Sequence, residues 1–335
     1  MCYSRIAAAT SSPRVSASRC KALALILLIA ACSREEKPTP ATELPSDQVE
    51  SVLAGAPVML AAGDIAVCGK GGDEETAALV ERNLADDSVR NVPSVVATLG
   101  DNAYPSGSSG VDSDFPRCFG SSWGRPRIMK VIRPSPGNHD YDSGNLDPYF
   151  RFFGQSAGPS GKGYYSYEVG SWHIVSLNSE LYFEDPDPSH ARAQEAWLRQ
   201  DLKAHPTLCT LVYFHRPRFS SGIYYPGTPE MQTLWNIMDK ANVDLVVNGH
   251  EHHYERFLPQ TPAGVVDSAR GMTEIIAGTG GGVLRKLHDP VMPNSASQLR
   301  RHFGILKLAL GAGEYRHAFI DTDRGVWDSG AGKCH

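Results

Sequence analysis

Apolar runs of strand length alternate with amphipathic stretches from Pro57 to the C-terminus. The apolar runs are Val58–Ala62, Val95–Leu99, Met129–Arg133, Trp172–Leu177, Cys209–Phe214, Val243–Val247 and Thr273–Ala277. Because most of them are apolar throughout, they predict strands that are covered on both faces. The amphipathic stretches predict helices at Glu74–Ala85, Ala191–Ala204 and Glu230–Ala241. Ile305–Leu310 and Tyr315–Ile320 flank a glycine-rich turn, which predicts a hairpin.

This mixture of strands and helices predicts one α/β domain, residues 57–335, built as a two-sheet β-sandwich flanked by helices. Most of the predicted strands lead directly into a loop that contains glycine. Open α/β sheets bind their ligands at the carboxyl ends of strands, so we expect these loops to meet at one site. The stretches Pro105–Gly110 and Gly154–Gly163, rich in small residues and proline, are predicted to be loops that shape its mouth.

The beginning of the chain has a different pattern. A basic start precedes the apolar run Ala22–Ala31, which is too short to cross a bilayer and is typical of an export signal. Ile29-Ala30-Ala31-Cys32 resembles the lipobox of bacterial lipoproteins, in which the cysteine is lipidated. We therefore expect a signal peptide at residues 1–31, and a lipidated Cys32 that begins a flexible tether at residues 32–56. The protein would be exported, either periplasmic or anchored to the outer membrane; an ordinary signal peptide is the alternative.

The composition excludes some classes of protein and partner. Of the 335 residues, 41% are hydrophobic and 21% are charged, as in soluble globular proteins. The formal net charge is −5, and all four charged side chains in residues 1–31 are positive, so the exported part is more acidic still. This balance argues against nucleic acid as a partner.

Four cysteines remain in the predicted domain, namely Cys68, Cys118, Cys209 and Cys334. In an oxidising compartment they predict two disulfides, with free thiols that bind metal as the less favoured alternative. Sequence permits three pairings. We favour Cys68 with Cys118, because both lie in predicted loops beside the first motifs described below, and Cys209 with Cys334.

Five loops carry side chains suited to metal binding. They are Gly63-Asp64, Gly100-Asp101-Asn102-Ala103-Tyr104, Gly137-Asn138-His139-Asp140, Phe214-His215 and Gly249-His250-Glu251-His252. Each alone is ordinary turn chemistry. Together, carboxylate, phenol, amide and imidazole groups from the ends of five buried segments are the donors that a pair of hard or borderline cations needs. The sequence therefore predicts a metal-dependent enzyme site.

In order and spacing these motifs resemble those of the calcineurin-like metallophosphoesterases, whose fold is a four-layer α/β/β/α sandwich. The resemblance runs from about Val58 to the C-terminus. Most of that superfamily has Asp-x-His in the first motif, whereas this chain has Ala66 in the third place, and Tyr104 takes over from the missing imidazole. This exchange resembles the purple acid phosphatases.

The resemblance implies a dinuclear centre and a reaction. One metal would be bound by Asp64, Tyr104 and His252, the other by Asn138, His215 and His250, and Asp101 would bridge them. A phenolate suits a trivalent ion, so Fe(III) is expected beside Tyr104, with Zn, Mn or Fe(II) at the other position. A metal-bridging hydroxide would attack a phosphate monoester of a small substrate. His139 would assist the leaving group, with Asp140 orienting its ring.

Three further residues are candidates for the site, and the sequence is also compatible with other functions. His253, Arg216 and Arg218 are candidates for substrate binding, although a solvated loop explains the two arginines equally well. The same site could serve a phosphodiesterase or nucleotidase, or the metal could merely stabilise a non-enzymatic surface lipoprotein. Gly154-Gln155-Ser156-Ala157-Gly158 matches the serine hydrolase pattern, but the strand and helix that a Ser156 nucleophile needs are not predicted around it. His173 is expected to be a core residue with satisfied hydrogen bonds.

Overall fold

The computed structural model describes residues 55–69, 72–104, 114–141, 145–323 and 325–335. The predicted signal peptide, Cys32 and most of the predicted tether lie outside the described residues, as does the predicted loop Pro105–Gly110. Within the described ranges, no helix combines the length and apolarity needed to cross a bilayer.

Two sheets form the centre of the protein. In chain order the strands are β1 Val58–Ala62, β2 Ala66–Val67, β3 Ser94–Leu99, β4 Ala103–Tyr104, β5 Ile132–Ser135, β6 Tyr165–Val169, β7 Trp172–Ser176, β8 Cys209–Phe214, β9 Leu245–Asn248, β10 Tyr254–Phe257, β11 Thr273–Ala277, β12 Ser295–Leu299, β13 Gly304–Gly311, β14 Glu314–Asp321 and β15 Val326–Lys333. The first sheet has the order β15-β14-β13-β1-β3-β5 and the second β12-β10-β11-β9-β8-β7-β6; β2 and β4 pair separately. Each sheet contains a run of neighbouring parallel strands: β1, β3 and β5 in the first, and β7, β8, β9 and β11 in the second.

Helices lie on the outer faces of the sheets. They are α1 Gly72–Val89, α2 Pro126–Met129, α3 Asp147–Phe153, α4 Pro188–Ala204 and α5 Gln232–Lys240. The start of α4 shows how the sequence sets a boundary, because Asp187 accepts a hydrogen bond from the amide of Ser189 and Pro188 occupies the first turn. Acidic residues in the first turn of α1 likewise suit the positive end of a helix.

Three apolar clusters show that the layers pack as predicted. The inner faces of the two sheets meet in a core that contains Met59 and Leu99 from one sheet and Trp172 and Tyr213 from the other. A second cluster packs the outer face of the first sheet against α1, α2 and α3, and a third packs α4 and α5 on the second sheet. This arrangement of helix, sheet, sheet and helix confirms the predicted fold class.

The boundaries of several elements differ from the prediction. The predicted strand Met129–Arg133 is wrong: α2 ends at Met129 and β5 begins only at Ile132, since Pro126 starts a helical turn. Pro134 is tolerated in β5 because this strand lies at the edge of its sheet. The predicted loop Gly154–Gly163 begins with a short 3-10 turn. The hairpin is confirmed as β13 and β14.

Both favoured disulfides are present. Cys68 is bonded to Cys118, and Cys209 to Cys334. The first joins the loop after β2 to the segment that follows the second motif, and the second ties β8 to the end of the chain.

Candidate metal centre

The five motifs lie at the carboxyl ends of neighbouring parallel strands. Asp64 follows β1, Asp101 follows β3 and Asn138 follows β5, which are adjacent in the first sheet. His215 and His250 follow β8 and β9, which are adjacent in the second. The two sheets therefore deliver their strand ends to one place, as expected from the sequence.

Three of the motif residues adopt the left-handed backbone region that non-glycine residues rarely use. The φ angles are +57° for Asp64, +49° for Asp101 and +67° for His250. Each such conformation costs on the order of 1–3 kcal/mol and tends to occur at functional sites. Backbone hydrogen bonds compensate, since Asp64 N donates to Gly100 O at 3.0 Å and Gly249 N donates to His215 O at 3.0 Å.

Glycine is required before one of these turns. Gly100 has a φ of +83°, and a Cβ atom there would lie 2.5 Å from Nδ1 of His215. No other residue type could bring this turn so close to the imidazole.

The predicted ligands form two groups of donor atoms. In the first, Oη of Tyr104 lies 3.0 Å from Oδ1 of Asp64 and 3.3 Å from Nε2 of His252. In the second, Nε2 of His215 lies 3.2 Å from Oδ1 of Asn138 and 3.1 Å from Nδ1 of His250. All seven side chains that the sequence predicts as ligands thus lie together.

Asp101 connects the two groups. Its Oδ2 lies 2.9 Å from Oη of Tyr104, and its Oδ1 lies 3.3 Å from Nε2 of His215. A carboxylate that offers one oxygen to each group has the geometry of a bridging ligand. Asp64, Asp101 and His252 also form a cluster whose ligand atoms all lie within 4.8 Å of one another.

Backbone carbonyls orient two of the imidazoles. Nδ1 of His215 lies 2.8 Å from Leu99 O, and Nδ1 of His252 lies 2.7 Å from Val283 O. A proton on Nδ1 leaves the lone pair of Nε2 directed at the other donors, and such outer contacts are a general feature of metal-binding histidines.

Burial and charge indicate that the donors suit cations. Asp64 and Asp101 are at most 1% exposed, and Oδ2 of Asp64 has no hydrogen-bond partner within the described part of the chain. Buried carboxylates are costly unless they are paired or bind a metal. Burial, and then the charges of Asp101 and Asp64, raise the pKa of Tyr104 well above its usual value. Bound cations would neutralise the carboxylate charges that oppose ionisation of Tyr104. The residues present therefore fit a dinuclear metal centre.

His139 lies beside the donors. Its ring contacts that of Tyr104 at a tilt, with a centroid distance of 4.4 Å, and its backbone amide donates to Oδ1 of Asp101 at 2.8 Å. The side chain is 26% exposed, so the imidazole can be reached from solvent. This position suits proton transfer to a bound substrate.

The predicted role of Asp140 does not hold. Its carboxylate accepts hydrogen bonds from Gly137 N at 2.8 Å and from Nδ2 of Asn102 at 2.8 Å, rather than from the ring of His139. Burial, and then the charge of Asp101, raise the pKa of Asp140 to about 8. Asp140 therefore fixes the backbone of two motif loops relative to each other.

The three candidates for substrate binding are separated by the fold. Arg216 reaches the site, since its Nη1 lies 3.4 Å from Nε2 of His250. Arg218 does not, because its guanidinium bonds to Gln232 at 2.7 Å and lies over Phe219. His253 is fully buried and contacts Glu255 at 3.2 Å, so it cannot line a cleft.

Other residues at the site were missed from the sequence. Glu180 is fully buried and accepts a 2.8 Å hydrogen bond from Nε of Arg216, which holds the guanidinium beside His250. The ring of Tyr225 lies 4.7 Å from that of His250, and Nη1 of Arg285 donates to the backbone oxygen of His250 at 3.4 Å. The one feature of these segments that is visible in the sequence is a pair of adjacent aromatic residues, Tyr224 and Tyr225, in a polar loop.

Ser156 and His173, which were not favoured as functional residues from the sequence, have the environments expected of them. Ser156 lies in a 3-10 turn after helix α3, so the strand that a nucleophile elbow needs is missing there. His173 is buried, and its ring nitrogens bond to Glu168 at 2.6 Å and Asp201 at 2.8 Å. It is the satisfied core residue that we expected.

Comparison with known proteins agrees with this geometry. Acid phosphatase type 7 of Homo sapiens is 27% identical over 274 residues, which cover 70% of this chain and 59% of that protein. Purple acid phosphatase 18 of Arabidopsis thaliana is 30% identical over 181 residues, 48% of this chain and 40% of the plant protein. This chain thus spans well under two thirds of the length of both relatives.

Solved structures show the same fold. A purple acid phosphatase from yellow lupin (Lupinus luteus) seeds has a TM-score of 0.67 at 19% identity, over 83% of this chain and 54% of the lupin chain. GAP50, an anchor in the inner membrane complex of Plasmodium, has a TM-score of 0.67 at 14% identity, over 83% of this chain and 89% of its own. The family model of the calcineurin-like phosphoesterases matches residues 58–254. Since that match covers more than half of the chain, this protein belongs to the calcineurin-like phosphoesterase family.

Proposed function

We propose that this protein hydrolyses phosphate monoesters at a dinuclear metal centre, in the manner of a purple acid phosphatase. The observation that carries the proposal is Asp101, whose two oxygens face two complete groups of donors. A structural metal site needs only one compact set of ligands. Two groups that share a carboxylate instead match the two-metal sites that catalyse phosphoryl transfer.

The donor chemistry supports different metals at the two positions. The group around Tyr104 offers a phenol and two carboxylates, which are hard ligands suited to Fe(III). The group around His215 offers two imidazoles and an amide besides Asp101, which suits Zn, Mn or Fe(II). A pair of bound cations would supply the nucleophile from water and neutralise charge on the phosphoryl group.

The chain's own residues would handle the leaving group and the phosphate. His139 is partly exposed beside Tyr104, where its imidazole can donate a proton to the departing alcohol oxygen. Arg216 is held by Glu180 next to His250, where its guanidinium can bind phosphoryl oxygens. Asp140 keeps the Gly137 and Asn102 loops in register.

The decisive experiment measures hydrolysis of an aryl phosphate monoester and an aryl phosphate diester by the exported domain loaded with defined metals. Asp101→Asn should abolish turnover of the monoester and lower the metal content. Asp86→Asn, an exposed substitution in α1, is the matched control and should change neither. A diester hydrolysed much faster than the monoester would make the protein a phosphodiesterase at the same site.

A non-enzymatic role is the second candidate. GAP50 shares the fold and is described as an anchor. If the metal-loaded wild type hydrolyses neither ester while Asp101→Asn lowers the temperature of unfolding, the centre stabilises the fold and the enzymatic proposal is wrong.

We also propose that the protein is exported and held at a membrane by a lipid on Cys32, with a small phosphorylated compound as its substrate and no nucleic acid partner. The two disulfides support an oxidising compartment. Mass spectrometry of the mature N-terminus tests the anchor: a diacylated Cys32 is expected, and Cys32→Ser should release the protein from membranes. A mature chain that begins elsewhere would contradict the lipoprotein assignment.

A further inference from the structure

Exposed aromatic side chains are concentrated at the metal centre. In the described residues, the exposed aromatic side chains are Phe183, Tyr224, Tyr225 and Trp327. We refer to the first three as the aromatic rim. Phe183 lies under the guanidinium of Arg216 at 4.3 Å, and Tyr225 lies 4.7 Å from the ring of His250. Tyr225 thus lies beside a predicted ligand, Phe183 lies beside Arg216, and Tyr224 adjoins Tyr225 in the chain. Three of the four exposed aromatic residues therefore belong to segments at the donors, which is not expected of a surface that merely faces solvent.

An arginine completes the rim. The guanidinium carbon of Arg285 lies 5.6 Å from the ring centroid of Tyr224 and 5.8 Å from that of Tyr225. Within the described ranges the guanidinium of Arg285 makes no ion pair with a carboxylate, and its one hydrogen bond there goes to the backbone oxygen of His250. A cation and flat rings next to a phosphoryl site are suited to a ligand that is both anionic and aromatic.

The backbone holds the rim in place before any ligand arrives. Ile223 N donates to Lys286 O at 3.3 Å, and His288 N donates to Ser221 O at 2.7 Å, which joins the loop that carries Tyr224 and Tyr225 to the loop that carries Arg285. Arg285 N also donates to His252 O at 2.9 Å, so one of these loops is fixed to a predicted ligand segment. A binding surface ordered in advance loses less entropy when a ligand binds.

We propose that the aromatic rim binds a flat aromatic group of the substrate, so that the preferred phosphate esters are those of aryl alcohols or nucleosides rather than of simple aliphatic alcohols. This inference rests on the proposed function and names the substrate class for the same site. Tyr224 is 63% exposed and Tyr225 is 45% exposed, so both offer ring surface to a ligand. Stacking of the aromatic group on Tyr224 would place the ester's phosphoryl group towards His250 and the other donors.

Tyr224 is the residue to change, because its ring contacts Arg285 and, among the described residues, no predicted metal ligand. For Tyr224→Ala we expect kcat/KM to fall about tenfold on phenyl phosphate and adenosine monophosphate, through a rise in KM, since one stacked ring contributes about that factor. Hydrolysis of glycerol phosphate should be unchanged. Tyr224→Phe, which keeps the ring, should retain the wild-type preference, and Trp327→Ala, an exposed aromatic elsewhere, should have no effect.

The outcomes separate the two proposals. A loss confined to one aromatic ester supports the rim and identifies whether it holds an aryl group or a base. An equal loss on all three esters, or no loss on either aromatic ester, overturns the inference while leaving the phosphoesterase in place. If wild type hydrolyses no ester, calorimetric titration with adenosine monophosphate still decides: binding that Tyr224→Ala weakens supports the rim, and the absence of binding overturns it.

Discussion

The phenolic oxygen of Tyr104 lies 2.9 Å from Oδ2 of Asp101, where the two groups of donor atoms meet. Tyr104→Phe removes that oxygen and keeps the ring that contacts the imidazole of His139. We expect the variant to lose the visible absorption of a phenolate bound to Fe(III), and kcat to fall at least about a hundredfold, because a catalytic metal supplies several kcal/mol. Absorption spectra, metal analysis and kinetics check this. Tyr167→Phe, on edge strand β6, is the control. A colourless, iron-free and active wild type would contradict the iron assignment.

His139 is expected to act on the leaving group and not on metal binding. His139→Ala should lower kcat about 100- to 10,000-fold on an alkyl phosphate, because its alkoxide needs a proton to depart. The loss should be much smaller on 4-nitrophenyl phosphate, whose leaving group needs no proton, and the metal content should not change. His190→Ala, an exposed histidine bonded to Asp185, serves as the control. Equal losses on both esters would argue against proton donation.

Arg216 and Glu180 form a buried ion pair whose disruption should destabilise the protein. Glu180 is fully buried and Arg216 is 12% exposed. Arg216→Ala should lower the free energy of unfolding by about 3 kcal/mol, since it leaves the carboxylate without its cation. Arg125→Ala, which breaks partly exposed pairs with Glu74 and Glu81, should cost less than about 1 kcal/mol. Urea unfolding measures both. Adding Glu180→Gln to Arg216→Ala should recover part of the lost free energy of unfolding. If the effects of the two substitutions on that free energy are instead additive, the two residues are not coupled.

The two disulfides should affect different properties. Sγ of Cys118 lies 3.5 Å from the backbone oxygen of Tyr104, whereas Cys334 lies at the chain end against β8. Cys209→Ser with Cys334→Ser should lower the free energy of unfolding by about 5 kcal/mol and leave activity at low temperature intact. Cys68→Ser with Cys118→Ser should cost about 4 kcal/mol and also reduce activity. Unfolding curves and kinetics at 10 °C distinguish the pairs; equal activities would show that the first disulfide does not support Tyr104.

Asp328 should make the stability depend on acid pH. It is mostly buried, which by itself raises its pKa, but contacts with His317 and Arg256 and the 2.7 Å hydrogen bond from Tyr254 hold the pKa well below its usual value. A lowered folded-state pKa stabilises the protein above the unfolded value of about 3.9, and this contribution is lost as the pH falls towards the folded value. Asp328→Asn should therefore be less stable than wild type at pH 7, and the difference should shrink below about pH 4. A difference in the free energy of unfolding between the two proteins that stays constant from neutral to acid pH would contradict this prediction.

The sequence located the donor residues that the structure brings together because each motif is local. A buried strand followed by glycine and a donor residue is visible within a few positions, and parallel strands must end at the same edge of a sheet. The strands β1, β8 and β11 were predicted with their observed ends for the same reason, since they are apolar throughout. Polar edge strands gave no such signal, and β15, in which no residue is fully buried, was missed.

The roles of neighbouring side chains could not be obtained in this way. Arg216 and Arg218 are two positions apart on one loop, yet one meets Glu180 and the other meets Gln232. His253 follows His252 directly, yet its ring bonds to Glu255 in the interior, whereas the ring of His252 meets Asp64. Asp140 likewise bonds to Asn102 on another loop rather than to its neighbour.

By itself the sequence determined which residues can supply oxygen and nitrogen donors, and that strands carry them to a common edge, since apolar periodicity and turn chemistry act over a few residues. Only the tertiary structure decided that Asp101 divides its oxygens between Tyr104 and His215, and that the aromatic rim and Arg285 stand beside His250. Those relationships join segments far apart in the chain. They follow from how two sheets pack over one core, which no local pattern specifies.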